Sequence, residues 1–391
     1  MYSNEHLIKK LTNVFWYLHS HPEVSWEEYK TTEYLYKLLQ AEGLKPQLFP
    51  ESTGLYVDIG NGTPSVGLRA DIDALWQEVD GQFQANHSCG HDGHMTVALG
   101  VCLLLKEKKF NGAIRVIFQP AEEKGTGALK VLQYGIIEPL KYLFSLHVRP
   151  IQELQDGHHS PALLHGAAKA YVGEIIGIEA HAARPHLGIN VIEVGAAIIQ
   201  SLNTIKHDPT IPASIKVTKF QAGSDSTNII PGRATFAVDI RAQQNDLMQL
   251  LCQQVEERIY QVAESFGAKI TMKQEVNIVA AQVDKNAQML MERAILETVG
   301  IERLAAPIVT PGGEDFHYYA VHYPHLKTTM LGLGCGVSPG LHHPNMTFNQ
   351  ARLIEGTEIL AKAAILALEQ LDFEETIRDV KFSNNEEFSS N

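Results

Sequence analysis

The residues of this chain that could do chemistry cluster instead of spreading along it. The run SCGHDGH sets Cys89, His91, Asp92 and His94 within six positions, between glycines that let the backbone turn tightly. A thiolate and an imidazole two positions apart, on a loop opening a helix, can share a divalent ion, the helix N-terminus favouring the deprotonated thiol. Taken alone, Cys89 reads rather as an inert buried thiol beside a polar cap. Further on, AIRVIFQPAEEKG ends a strand with Pro120 and then the adjacent carboxylates Glu122 and Glu123. Paired acids there suit a hydrolytic metal site, since one can bridge metals while its neighbour takes a proton from metal-bound water; from this motif alone a solvated acidic turn is the plainer reading. SLHVRP delivers His147 from an apolar strand, and GLHHPNMTF offers His342 and His343 after the glycine-rich GLGCG. The conjunction decides: one thiolate, three imidazoles and two carboxylates, each expected just beyond a strand, point to one metal site. Mixed N, O and S donors suit Zn²⁺, Mn²⁺ or Co²⁺ better than Mg²⁺ or Ca²⁺. No G-x-S-x-G elbow marks a serine hydrolase.

The elements that must hold these residues alternate. LIKKLTNVFWYLHSH and HMTVALGVCLLLKEKKF have apolar residues at helical spacing, while PSVGLRA, AIRVIFQ and YLFSLHV are short β-rich runs. That predicts an α/β fold, a mostly parallel sheet flanked by helices, with binding residues past the strand C-termini. From about Ala170 the order becomes strand, helix, strand, strand, a helix over 246–266, and strand, the β-α-β-β-α-β order of a ferredoxin-like α+β unit. After about Ala280 the α/β pattern resumes with AQMLMERAILETV and KTTMLGL. The expected domains are therefore a discontinuous metal-binding catalytic domain, 1–169 and 280–391, and an inserted lid, 170–279. The tail from Phe373 is polar and is expected to be loosely ordered.

In order, LHSHPEVSWEE, GLRADIDAL, CGHDGH, FQPAEE, LHVRP, HAARPHLGIN, NIIPG, GGEDF and LHHP resemble, over nearly the whole chain, the aminoacylase/carboxypeptidase superfamily of dinuclear metallohydrolases. The similar branch contains hippurate hydrolases, N-acyl amino acid amidohydrolases and auxin-conjugate hydrolases. The resemblance implies two divalent transition metal ions held by Cys89, His91, Glu123, His147 and His342, with His343 at the variable position of L-H-x-P and Glu122 as general base. It also implies that His181 of HAARPH supports the oxyanion, often that of a neighbouring subunit in a homodimer formed through the lid. Asn228 and Arg241 match lid residues that hold the substrate carboxylate or tail, and Asp71 and Asp73 match acids that orient the ligands. After DAL the usual Pro-Ile and long loop give way to WQEVDGQFQANHS, as in AmhX-type bacterial amidohydrolases. The implied activity is hydrolysis of the amide bond of small N-acyl amino acids or related amides. A dinuclear dipeptidase or carboxypeptidase, and a catalytically silent metal-binding scaffold, are the alternatives.

Composition agrees. The chain has 391 residues, 45% of them apolar, enough for two cores. It carries a formal charge of −13 and no basic run, which disfavours nucleic acid. Four scattered cysteines do not form a disulfide framework. Neither a signal peptide nor a membrane-length apolar stretch is visible, so a cytoplasmic location is expected.

Overall fold

In the computed structural model, which describes residues 4–388, the chain forms two compact units. One comprises Met1–Leu163, Gln282–Ile308 and Asp315–Asn391, the other Leu164–Ala281 and Val309–Glu314.

The first unit runs α1 (Asn4–Ser20), α2 (Tyr29–Ala41), β1 (Gln47–Leu48), β2 (Leu55–Gly60), β3 (Pro64–Asp71), β4 (Leu75–Val79), β5 (Gln82–Asn86), α3 (His91–Leu105), β6 (Ala113–Gln119), α4 (Gly127–Leu132), β7 (Tyr142–Pro150) and β8 (His159–Ser160). The second supplies β9 (Ala167–Ile176), α5 (Val191–Leu202), β10 (Ala213–Ala222), β11 (Arg233–Ala242), α6 (Asn245–Ser265) and β12 (Lys269–Ile278). The chain then returns to the first with α7 (Lys285–Val299), β13 (Lys327–Val337) and α8 (Leu353–Phe388).

The first unit's main sheet has the order β1-β2-β6-β3-β7-β13-β8. β6, β3, β7 and β13 run parallel, while β2 and β8 lie antiparallel at the flanks. Every residue of β6 is buried, and so is every residue of β7 before Pro150, as expected for parallel strands covered on both faces. α3 is buried almost all round, which explains why HDGHMTVALGVCLLL has so little polar face. α7 packs on α8, and α8 on α3.

The second unit has the expected strand and helix order. Its antiparallel sheet runs β10-β11-β9-β12, and α5 and α6 supply buried faces to its core. On β11 buried Ala234, Phe236, Val238, Ile240 and Ala242 alternate with partly exposed residues, the period-two pattern of a sheet with one covered face. The ends of this unit meet: Ala281 N–H donates to the His165 carbonyl at 2.9 Å, and Gln243 Nε2 to the Leu164 carbonyl at 2.7 Å.

Two expectations are corrected. The polar tail from Phe373 is helical: α8 continues through Phe388, and residues 389–391 lie outside the described residues. No Gly or Pro follows Gly356, so a helix anchored in the core propagates at low cost. Nor does every site residue follow a strand of the main sheet. His147 lies inside β7, which runs on beside β13 as far as Pro150, and Cys89 follows the separate β4–β5 hairpin.

Candidate metal centre

Gly90 makes the turn between Cys89 and His91. It caps α3 in the left-handed region (φ 84°), and an added Cβ would lie 2.5 Å from Val148 Cγ2. Gly90→Ala is therefore expected to destabilise the protein by roughly 2 to 4 kcal/mol, from the left-handed strain plus overpacking. A lower urea midpoint of the metal-free protein checks this; an unchanged midpoint would contradict the close approach.

The imidazoles are held in defined tautomers. A carbonyl can only accept, so His91 Nδ1–H donates to the Asp73 carbonyl at 2.9 Å and His147 Nδ1–H to the Val148 carbonyl at 2.7 Å. Each ring is left with an Nε2 lone pair for a cation. That of His147 lies 3.5 Å from Cys89 Sγ, and that of His91 lies 3.9 Å from Glu123 Oε1. His94 differs: its Nε2 accepts from the Val148 N–H at 3.0 Å and its Nδ1–H donates to Asp71 Oδ1 at 2.6 Å. Although it lies close to Asp71 and His91, both its nitrogens are engaged, and it serves as a strut.

The acidic pair sits on a loop held at several points. Ala121, at φ 52°, donates its N–H to Glu28 Oε1 at 2.8 Å, while Thr53 Oγ1 donates to Glu28 Oε2 at 2.5 Å. Burial pushes the Glu28 carboxyl up to about 7. The Glu123 N–H donates to Asp73 Oδ2 at 3.0 Å, where Ser25 Oγ also donates at 2.6 Å. Glu122 Oε1 accepts from the Asp315 N–H at 3.4 Å. Asp315 is itself fixed by the fully buried Arg69, which donates to it at 2.8 Å and to Asp71 at 2.7 Å. Burial works against the charge on Asp71, yet His91, His94 and Arg69 hold it well below the usual carboxylate range.

His342, at φ 64°, brings Nε2 to 3.5 Å from Glu123 Oε1. Among the described residues five donor groups have their ligand atoms within 4.8 Å of one another, and three of them join the candidate residues: Cys89, His91 and His147; Cys89, Glu123 and His342; and His91, Glu122 and Glu123. All six residues picked from the sequence as ligands or base are thereby brought together.

The donor chemistry fits cations. His91 Nε2 and Glu123 Oε1 are buried, lie 3.9 Å apart and have no hydrogen-bond partner among the described residues. Burial works against a charge on His91, yet Asp71, Cys89 and Asp73 push its imidazole well above the ordinary histidine value, so a bound cation would take the place of that proton. Burial, reinforced by Glu123, pushes the Cys89 thiol well up, and burial pushes Glu123 up to about 7. This corrects the expectation that the helix N-terminus holds Cys89 as a thiolate: burial wins, and the thiolate requires a cation beside it. Burial keeps His147 and His342 below their ordinary values, hence neutral and able to ligate.

In the second unit, Ala180–His181 pairs with Ile229–Ile230, and Ala182 N–H donates to the Asn228 carbonyl at 2.9 Å, so His181 and Asn228 come together. Ala183 N–H donates to His181 Nδ1 at 3.0 Å, which leaves the exposed Nε2–H as a donor. Arg241 is engaged by Asp239, two residues away on the same strand face, through two hydrogen bonds of 2.9 Å.

Four residues that matter to this geometry carried no assignment from the sequence: Glu28, Arg69, His94 and Asp315. The runs LHSHPEVSWEE, GLRADIDAL, CGHDGH and GGEDF contain them, but partners such as Ala121 for Glu28 and Asp315 for Arg69 lie 93 and 246 positions away, a relation that no local spacing reveals.

Comparison with known proteins agrees with this geometry. Residues 67–365 match the model of peptidase family M20/M25/M40. The chain is 30% identical over 374 residues to an N-acetyl-L-cysteine deacetylase of Bacillus subtilis (strain 168), covering 92% of this chain and 88% of that one. It is 29% identical over 377 residues to an IAA-amino acid hydrolase of Arabidopsis thaliana, covering 89% and 84%. A solved dinuclear metal-binding peptidase of the M20 family from Bacillus subtilis superposes with a TM-score of 0.80 at 26% identity, over 94% of this chain and 99% of that one. A buried cluster of thiol, imidazole and carboxylate donors, on a fold shared with a dinuclear enzyme and a sequence matching the family over most of its length, has one explanation: the chain belongs to peptidase family M20/M25/M40.

Proposed function

We propose that this chain is a metal-dependent amidohydrolase that cleaves the amide bond of small N-acyl amino acids. The observation that carries the reading is the convergence of Cys89, His91, Glu122, Glu123, His147 and His342 in one cluster, buried at Cys89, His91 and His147 and open to solvent at His342. In this reading Cys89, His91, Glu123, His147 and His342 would hold two ions. The ions, of Zn²⁺, Mn²⁺ or Co²⁺ class from the donor set, would polarise the amide carbonyl and acidify the attacking water. Glu122 takes the proton from that water and passes it to the leaving amine. Asp73 and the Val148 carbonyl keep the His91 and His147 rings aimed at the ions. His181 donates Nε2–H to the developing oxyanion, and Asn228 and Arg241 hold the substrate's carboxylate or tail. The deacetylase and hydrolase relatives support the N-acyl amino acid class. We further infer a lid role for the inserted unit, a homodimer formed through it and a cytoplasmic location. Among the described residues no helix is long and apolar enough to cross a membrane.

The test joins metal analysis to a substrate panel. The purified protein is expected to carry up to two transition metal ions per chain, to lose activity in chelator and to regain it with Zn²⁺, Mn²⁺ or Co²⁺. N-acetyl and N-benzoyl amino acids should be cleaved faster than dipeptides. Full activity without metal would overturn the reading; preference for dipeptides would make the enzyme a peptidase.

A further inference from the structure

The stretch WQEVDGQFQANHS, where the chain departs from the branch it resembles, forms the β4–β5 hairpin. Trp76 pairs with Ala85 and Val79 with Gln82, and the turn is closed by Asp80 (φ 51°) and Gly81 (φ 80°). This is the two-residue turn that needs positive φ at both central positions, for which Asp-Gly is well suited.

The hairpin is tied to the His342 loop. Gln77 Nε2 donates to the His342 carbonyl at 3.2 Å, and Gln77 Oε1 accepts from Ser88 Oγ and, at 3.4 Å, from Asn86 Nδ2. The Ser88 carbonyl in turn accepts from the His342 N–H at 2.8 Å, and Asn86 Nδ2 donates to the Pro344 carbonyl at 2.9 Å. Both backbone polar groups of His342 are thus engaged, one by the Gln77 side chain and the other by the residue that precedes Cys89. His342 needs this restraint, because φ 64° is costly for a residue with a β-carbon and persists only where surrounding contacts over-determine it.

The geometry points to Gln77 as a positioning residue, which fixes His342 against Glu123 and Cys89 and so sets how tightly that donor group holds its ion. The inference rests on the reading that these residues bind metal. An amide suits the task, since it donates to a carbonyl and accepts from a hydroxyl at once. A carboxylate would set a second acceptor against the His342 carbonyl, and a hydrocarbon would satisfy neither partner. The hairpin thereby couples a ligand near the end of the chain to the Cys89 loop. Loss of an outer partner of a metal ligand typically weakens metal affinity about 10- to 100-fold.

The test is a Zn²⁺ titration of the full, chelator-stripped chain against a chromophoric competitor, with the melting temperature of the stripped protein read in parallel. Wild type is expected to take up two ions. His342→Ala identifies the step that depends on His342. Gln77→Met should weaken that same step about 10- to 100-fold, and leave the other step and the melting temperature as in wild type. In the His342→Ala background, Gln77→Met should add no more than about twofold, because residues acting through one another are not additive. Wild-type affinities in Gln77→Met would overturn the inference and leave the metal reading standing. So would a loss that persists undiminished in the His342→Ala background, which would mark general destabilisation. A wild-type chain that binds no Zn²⁺ would overturn the metal reading and this inference with it.

Discussion

Glu122→Gln is expected to retain both metal ions and to lower kcat about 10²-fold or more, the scale for losing a positioned general base. The amide matches the carboxylate in shape and keeps an oxygen that can accept the Asp315 N–H, which reaches Glu122 Oε1 at 3.4 Å. It cannot take up a proton at neutral pH, so binding should survive while chemistry fails. Glu123→Gln should do the opposite. Glu123 Oε1 lies 3.9 Å from His91 Nε2 and 3.5 Å from His342 Nε2, and its buried charge is useful only to a cation. Metal content and kcat on an N-acyl amino acid, measured on both variants, separate the two roles. Equal metal loss in both, with Glu122→Gln keeping its rate, would mean that the roles are reversed.

His181→Ala is expected to leave folding and metal content as in wild type while kcat falls roughly 10²-fold, the scale for losing one oxyanion donor. His181 belongs to the second unit, whereas every proposed ligand belongs to the first. Its Nδ1 already accepts the Ala183 N–H, so the neutral ring carries its proton on the outward Nε2, as a donor to a developing oxyanion must. Mixing inactive His181→Ala with inactive Glu122→Gln protein distinguishes the two ways it can act. If each active site draws on His181 of a second copy, hybrid dimers regain activity that neither parent has. If subunit exchange is verified and no activity returns, the proposal that His181 acts across a dimer fails. Unchanged kcat in His181→Ala would remove it from the mechanism altogether.

Local periodicity made much of the architecture legible. The short β-rich runs of β6 and β7 and the period-two pattern of β11 mark these segments as strands from residue type, although full burial of β6 and β7, which carry Arg115, Gln119, Ser145 and His147, is seen only in the fold. The six ligand and base candidates could be found because each carries unusual chemistry in a short motif. What escaped depends on distant partners. Arg69 reads in GLRADIDAL as an ordinary strand residue, and only the fold sets it between Asp71 and Asp315. Glu28 reads as one acid of a polar turn until Ala121, far along the chain, points its N–H at it. The Cys89 thiol was misjudged because a helix N-terminus is visible in sequence while the depth of burial that outweighs it is not. The helical character of the tail was not foreseen, because polarity was weighed above the absence of helix breakers.

The meeting of Ala281 with His165 bears on how such a chain can fold quickly. The first unit must join segments separated by an insertion of about 120 residues, and closing a flexible loop of that length costs on the order of 4 kcal/mol in chain entropy beyond a constant. The inserted unit has its own core and a ladder made of its own strands, so it can form before that closure is needed. Once it has formed, the hydrogen bond from Ala281 to His165 holds its two ends together, and the rest of the chain sees a short connection in place of a long one. The insertion then ceases to act as a barrier to assembling the α/β sheet, and the separation of β13 from β7 shrinks by the length of the inserted unit.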